Sequence, residues 1–254
     1  MKKMSKIVKF TLLSLLSLGL MAYIVYAMFF LSVPDDEERC VAVELAVKKD
    51  NGASAFVDAG DIEKMLKNAN VYPKGMLMKD VDTEKIEETI RKNEFISKVE
   101  CYKSANGKLC VSVEQRVPVI FVIPDGKDGY FVDAQGKIIP NRNNATNLVV
   151  ASGNIDEKYA SKELAEFGQF LQMDDFWNNQ IEQVYVMKDR KGKRVVELVP
   201  RVGDQIVYLG ALEDYQKKLR KLRTFYDKAV GTVGWKKYAR VNLEYDNQII
   251  CTKR

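Results

Sequence analysis

Residues 95–114 read FISKVECYKSANGKLCVSVE, two strands and the turn that joins them. Lys98–Lys103 and Lys108–Glu114 alternate apolar and polar positions, as half-buried strands do. Asn106-Gly107 lies between them and is a strong hairpin signal, because both residues tolerate the positive φ that tight turns demand. The register depends on the loop length. With a two-residue turn, Cys110 faces Lys103 and Cys101 faces Ser112, leaving the two sulfurs diagonal and poorly placed for a disulfide. With a three-residue loop they fall on opposite faces. Either register predicts buried small apolar side chains rather than a bridge.

Working outward toward the N-terminus, Cys40–Val47 (CVAVELAV) reads as a strand, followed by a turn at Asp50-Asn51-Gly52. Asp58 is placed to N-cap a helix whose Ile62, Met65, Leu66 and Ala69 form a stripe at i, i+3, i+4 and i+7. Val57 and Ile62 occupy the two positions of a hydrophobic staple around that cap. The device recurs at Asp82, with Val81 and Ile86 as the staple and Ile90 extending the apolar face. Pro73-Lys74-Gly75 separates the two helices. The order is β-α-α-β-β, an α+β layer expected over residues 34–115. Pro118 marks its boundary, since proline neither donates to a ladder nor sits in a central strand.

Residues 116–254 predict a mainly antiparallel β domain with two helices. Strands are expected at Val117–Ile123, Tyr130–Asp133, Lys137–Pro140, Leu148–Gly153, Ile181–Met187, Arg194–Pro200 and Gln205–Leu209. The helices are expected at about Asp156–Met173 and Leu212–Val230, with Asp174–Gln180 as a connector. In the second, Leu212, Tyr215, Leu219, Leu222, Tyr226 and Ala229 step by three and four. Lys217, Lys218, Arg220, Lys221 and Arg223 line much of its other side, as a solvated face or as a docking surface for acidic partners or anionic headgroups. Val241, Leu243 and Tyr245 alternate with Asn242, Glu244 and Asp246 as a closing strand, and Gln248–Cys251 continues or pairs with it.

Phe10–Val33 carries no charge. Its 22-residue core FTLLSLLSLGLMAYIVYAMFFL would give about 33 Å of helix at ~1.5 Å per residue. The expectation is a single transmembrane helix over 10–33, after a cytoplasmic tail of residues 1–9. Lysines before it and Asp35-Asp36-Glu37-Glu38 after it orient it N-in, leaving the bulk in the periplasm. A cleaved signal peptide, with Val25-Tyr26-Ala27 as its processing site, competes with that, but the apolar run is longer than a signal core.

Composition excludes whole classes. The chain has no histidine, which removes Ser-His-Asp triads, Cys-His pairs and histidine-ligated metal sites. Its four cysteines form no C-x-x-C pair. No cofactor and no metal are expected, and no base–nucleophile constellation points to an enzyme. The net charge of +5 is local: taking Lys2, Lys3, Lys6 and Lys9 from the 40 basic residues leaves 36 against 35 acidic ones. So even a balance gives nucleic acid no electrostatic footprint.

The segment Phe95–Val119, in its hydrophobic pair, strand, turn and L-x-V-x-V-x-E-x-x-P-V run, resembles the end of a POTRA domain of the FtsQ/DivIB cell-division family. Gly129–Gly136 (GYFVDAQG), the Gly234-Trp235…Tyr238 run and Val241–Ile250 (VNLEYDNQII) resemble pieces of that family's β domain. The resemblance covers nearly all of the chain after the apolar segment. It implies a non-catalytic divisome scaffold in the cytoplasmic membrane. Such a scaffold would link the single-span proteins FtsB and FtsL at the septum and help regulate septal peptidoglycan synthesis. It implies recruitment through the POTRA domain and partner binding through the β domain. Tyr245 falls on the family's partner-binding tyrosine, while Asn242 and Glu244 stand where the family usually has Asp and Arg. With strand addition in view, the expected partner-binding residues are Val241, Leu243, Glu244, Tyr245, Gln248, Ile250 and Trp235. A POTRA-containing envelope assembly or secretion adaptor outside division is the alternative.

Overall fold

The computed structural model describes residues 6–28, 38–48, 56–142, 147–230, 234 and 237–254. The first element is the helix α1 (Lys6–Tyr26). The transmembrane helix expected over 10–33 is corrected here: among the described residues, no helix is long and apolar enough to cross a membrane. Lys6 and Lys9 sit in the first turn of α1, so its uncharged part is Phe10–Tyr26. At ~1.5 Å per residue that part spans about 26 Å, short of a hydrocarbon core of about 30 Å. Residues 29–33 of the expected span lie outside the described residues. The single-pass, N-in placement with the bulk in the periplasm falls with the span that carried it.

Contacts divide the chain into two units, residues 1–48 with 57–115 and residues 49–56 with 116–254. In the first, β1 (Ala42–Lys48), α2 (Ala59–Asn68), α3 (Thr83–Arg91), β2 (Ile96–Lys103) and β3 (Lys108–Gln115) follow the β-α-α-β-β order. The sheet order is β1-β3-β2, with β1 parallel and β2 antiparallel to the central β3. Both helix caps are present. Asp61 N–H donates to Asp58 Oδ1 at 2.8 Å and Asp58 N–H returns a bond to Asp61 Oδ2 at 3.2 Å, while Lys85 N–H donates to Asp82 Oδ1 at 3.0 Å. Val57, Ile62, Val81 and Ile86 are buried, so the staples close over those caps. Ile62, Leu66, Ile86 and Ile90 from the helices and Val99, Leu109, Val111 and Val113 from the sheet form the core. Each such burial contributes about 1.5–3 kcal/mol.

The hairpin takes the three-residue loop. Ser104 N–H donates to Lys108 O at 2.8 Å, and Gly107 adopts φ +66°. Cys101 then faces Val111 and Cys110 faces Tyr102, which places the two thiols on opposite faces. The free edge of β2 is partly covered, because Cys101 N–H donates to Glu87 Oε1 of α3 at 2.8 Å.

The second unit is built on one sheet. Its first strands are β4 (Pro118–Pro124), β5 (Tyr130–Asp133), β6 (Ile138–Pro140) and β7 (Val150–Gly153). A helical stretch follows: α4 (Glu157–Tyr159), a π-helical turn over Ala160–Leu164, α5 (Ala165–Met173) and α6 (Asp175–Gln180). Next come β8 (Ile181–Lys188), β9 (Arg194–Pro200), β10 (Ile206–Gly210), α7 (Tyr215–Phe225) with a π turn over Tyr226–Val230, β11 (Tyr238–Asn242) and β12 (Ile250–Lys253). The sheet order is β12-β11-β10-β9-β8-β7-β4-β5-β6. It is more mixed than expected, with β4/β7, β7/β8 and β10/β11 parallel. Parallel neighbours need a crossover: α4–α6 serve between β7 and β8, and α7 between β10 and β11. The expected connector at 174–180 is itself helical, since Asp174 Oδ1 accepts from the backbones of Phe176 and Trp177.

These helices cover one face of the sheet. Val122, Ala151, Val184, Val186, Leu198, Val207 and Val241 meet Leu164, Phe167, Leu171, Leu219 and Leu222 there. Gly168 lets α5 lie directly on β4, where a Cβ would come within 2.9 Å of Ile120 Cβ. Asp133 is buried and organises the β5–β6 turn. It accepts from Gln135 N–H at 3.0 Å and Lys137 N–H at 2.7 Å, and pairs with Arg116 Nη1 at 2.7 Å. This gives the VDAQG run (132–136) a structural role.

Candidate partner-binding edge

Among the described residues, β12 ends the nine-stranded sheet and is paired on one side only, to β11. The register sets Val241 opposite Cys251 and Asn242 opposite Ile250. A strand so placed presents a row of free N–H and C=O groups to which another chain can add.

The strand expected over 241–245 ends at Asn242. There the Asn242 side chain accepts from Glu244 N–H at 2.9 Å, an Asx turn that competes with the ladder. Leu243 still bonds to β10 through its N–H and Tyr208 O at 2.9 Å, and its side chain is fully buried. Val241 is 1% exposed. The side chains of these two expected contact residues therefore belong to the core beneath the edge. Tyr245 and Ile250 are 47% and 45% exposed, and Glu244 and Gln248 are also exposed. Those four lie together around the turn that leads into β12. Trp235 lies outside the described residues.

The turn is held from α7. Lys221 Nζ donates to Leu243 O at 3.2 Å, to Gln248 O at 3.3 Å and to Tyr245 O. One turn earlier, Lys217 Nζ pairs with Asp246 at 3.1 Å, and this ammonium holds the Asp246 carboxyl below its ordinary pKa. Burial pushes the Lys221 amine below the ordinary lysine value. Lys218 is likewise lowered by burial and donates to Ala211 O at 2.8 Å. Arg223 lies over the Phe176 ring at 4.5 Å. Of the basic stripe on α7, four members thus engage this chain's own groups. Lys217 and Lys221 are visible in the sequence as an i, i+4 pair, but the Asp246 carboxylate and the carbonyls of Leu243, Tyr245 and Gln248 that they meet lie more than 20 residues away, so nothing local foretold those contacts.

The far end of β12 is anchored too. Arg254 N–H donates to Lys237 O at 3.2 Å, and its guanidinium reaches Asp204 Oδ2 and O, each at 3.1 Å. On the other face of the sheet, Arg240 pairs with the buried Glu197 and stacks over the Tyr208 ring at 4.9 Å. The result is an edge strand braced at both ends and open along one side. Among the described residues, no group of His, Cys, Asp or Glu could hold a metal ion.

A small β-α-α-β-β unit followed in the chain by a β domain with a braced, unpaired edge is the build of a binding scaffold. Residues 117–252 match the family described as FtsQ/DivIB, C-terminal related, and residues 38–114 match the POTRA-like domain. The first match alone covers more than half of the chain, which belongs to the FtsQ/DivIB family. No curated protein sequence matches it. Membership makes the chain a non-catalytic scaffold of the cell-division machinery.

Proposed function

We propose that the chain joins the divisome by strand addition at β12, taking an FtsB-like protein there in an assembly that includes an FtsL-like protein. Through that assembly it helps regulate septal peptidoglycan synthesis. In this scheme residues 34–115 serve recruitment and residues 116–254 serve partner binding. The observation that carries the proposal is β12 itself, unpaired on one side among the described residues, with Tyr245 exposed beside it. Recognition falls to Glu244, Tyr245, Gln248 and Ile250, while Val241 and Leu243 support the edge from within the core.

The test is a binding measurement with the full chain, using the FtsB-like and FtsL-like proteins of the same organism. It compares the parent with Tyr245→Ala and with a truncation after Asp246, which removes β12. The truncation is expected to abolish binding. An exposed aromatic at the centre of a contact typically contributes about 2 kcal/mol or more, so Tyr245→Ala should weaken binding about 30-fold. Circular dichroism checks that each variant is folded. Equal binding by all three would move the surface elsewhere, and failure of the parent would remove these partners.

A further inference from the structure

We infer that Lys221 is the positioning residue of the partner-binding turn: its ammonium gathers three backbone carbonyls and so sets where Tyr245 and Gln248 stand. This rests on the proposed strand addition at β12. The carbonyls of Leu243, Tyr245 and Gln248 come from a segment that leaves β11 and returns as β12 without a ladder of its own. Backbone groups lacking a ladder must find side chains or water. An ammonium has three donors and no acceptor, and here all three are spent on one short stretch of chain. The contact therefore works as a knot between α7 and the turn.

Its geometry ties recognition to the core. Leu222, the neighbour of Lys221, is fully buried under the sheet, as is Leu219. α7 is thus a fixed platform, and a residue on it transfers that rigidity to the exposed turn. Lys217 adds a second tie at Asp246, but as an exposed ion pair it is the weaker of the two. Without Lys221 the turn samples conformations in which Tyr245 and the start of β12 are misplaced. The apparent affinity then falls by the fraction of time spent in the competent arrangement.

Hydrogen exchange on the full chain, read beside binding to the FtsB-like protein, tests this. Lys221→Met keeps the length of the side chain and removes its donors; Lys221→Arg keeps donors. In Lys221→Met, amides 244–249 should exchange faster while those of β8 and β9 keep the parent's rates, and affinity should fall about tenfold. Lys221→Arg should restore most of both. If Lys221→Met fails to fold, Lys221→Gln is read in its place. Parent-like exchange at 244–249 overturns the inference, as does faster exchange with unchanged affinity. If the parent itself binds nothing, the partner proposal fails, and exchange at 244–249 alone then decides whether Lys221 orders the turn.

Discussion

At the residue scale, Gly136 shows how one position ties a turn to a helix. It adopts φ +79°, and a Cβ there would stand 2.0 Å from the backbone oxygen of Ser161. Gly126 has a similar φ of +69° with nothing within 4 Å of such a Cβ. Alanine at either site incurs the left-handed penalty of about 1–2 kcal/mol. Only at 136 must the backbone also move, adding about 1–3 kcal/mol. Gly136→Ala should therefore lower the urea midpoint clearly more than Gly126→Ala, followed through the fluorescence of the buried Trp177. Equal effects would mean that the turn does not press on the helical stretch. That Gly136 needs a positive φ is legible in the Asp-Ala-Gln-Gly turn. That it abuts Ser161 is not, because the two meet through tertiary packing alone. Lys221 follows the same logic, since its charge is plain in the sequence and its three acceptors are not.

At the element scale, the two capped helix starts of the first unit are legible, and the end of β11 is not. Asp58 and Asp82 cap where a carboxylate followed by a stapled apolar pair says they should, because a cap is a contact within four residues. β11 stops at Asn242 although its alternation runs on to Tyr245, because the Asn242 side chain captures Glu244 N–H. Asp156 offers a test of a cap's electrostatics. It accepts from Tyr159 N–H at 2.8 Å and pairs with Arg194 at 2.6 Å, and these two partners, the backbone bond first, hold its pKa below the ordinary 3.8. A carboxylate depressed in the folded state contributes stability that is present above pH 3.8 and lost as pH falls through the folded value. Because Asp156 is largely exposed, solvent screens much of that contribution. Asp156→Asn keeps a good capping side chain and removes the charge. Its deficit relative to the parent should be small at pH 7 and should vanish below the folded pKa. A deficit that stays constant from pH 7 to pH 2 would show that the charge contributes nothing.

At the scale of the whole molecule, the chain carries a three-stranded and a nine-stranded sheet, and their elements differ in how local their signals are. The first unit's β-α-α-β-β order was visible because each element has its own local signal. The second unit's strand order was not, since β4 pairs with β7 across an intervening hairpin and β10 with β11 across α7. The strand expected to close the sheet does lie at its end, but which of its residues are buried and which exposed depends on that order. Neither unit is held by covalent links, because all four cysteines are free. The hairpin pair cannot bridge from opposite faces, and the stability of each unit rests on the burial of its own core residues. Burial and the nearby Glu87 carboxylate push the Cys101 thiol up to about 12, and burial also raises Cys251. Cys40 is almost fully enclosed. Thiolate, not thiol, is the species that alkylates. At pH 8 the native chain should therefore label very slowly at Cys40 and Cys101, while the urea-unfolded chain labels at all four. Its unfolding midpoint should be the same with and without reductant. Native labelling of Cys101 at the unfolded rate would mean that β2 opens readily from α3, and a midpoint lowered by reductant would place a disulfide where the folded hairpin leaves no geometry for one.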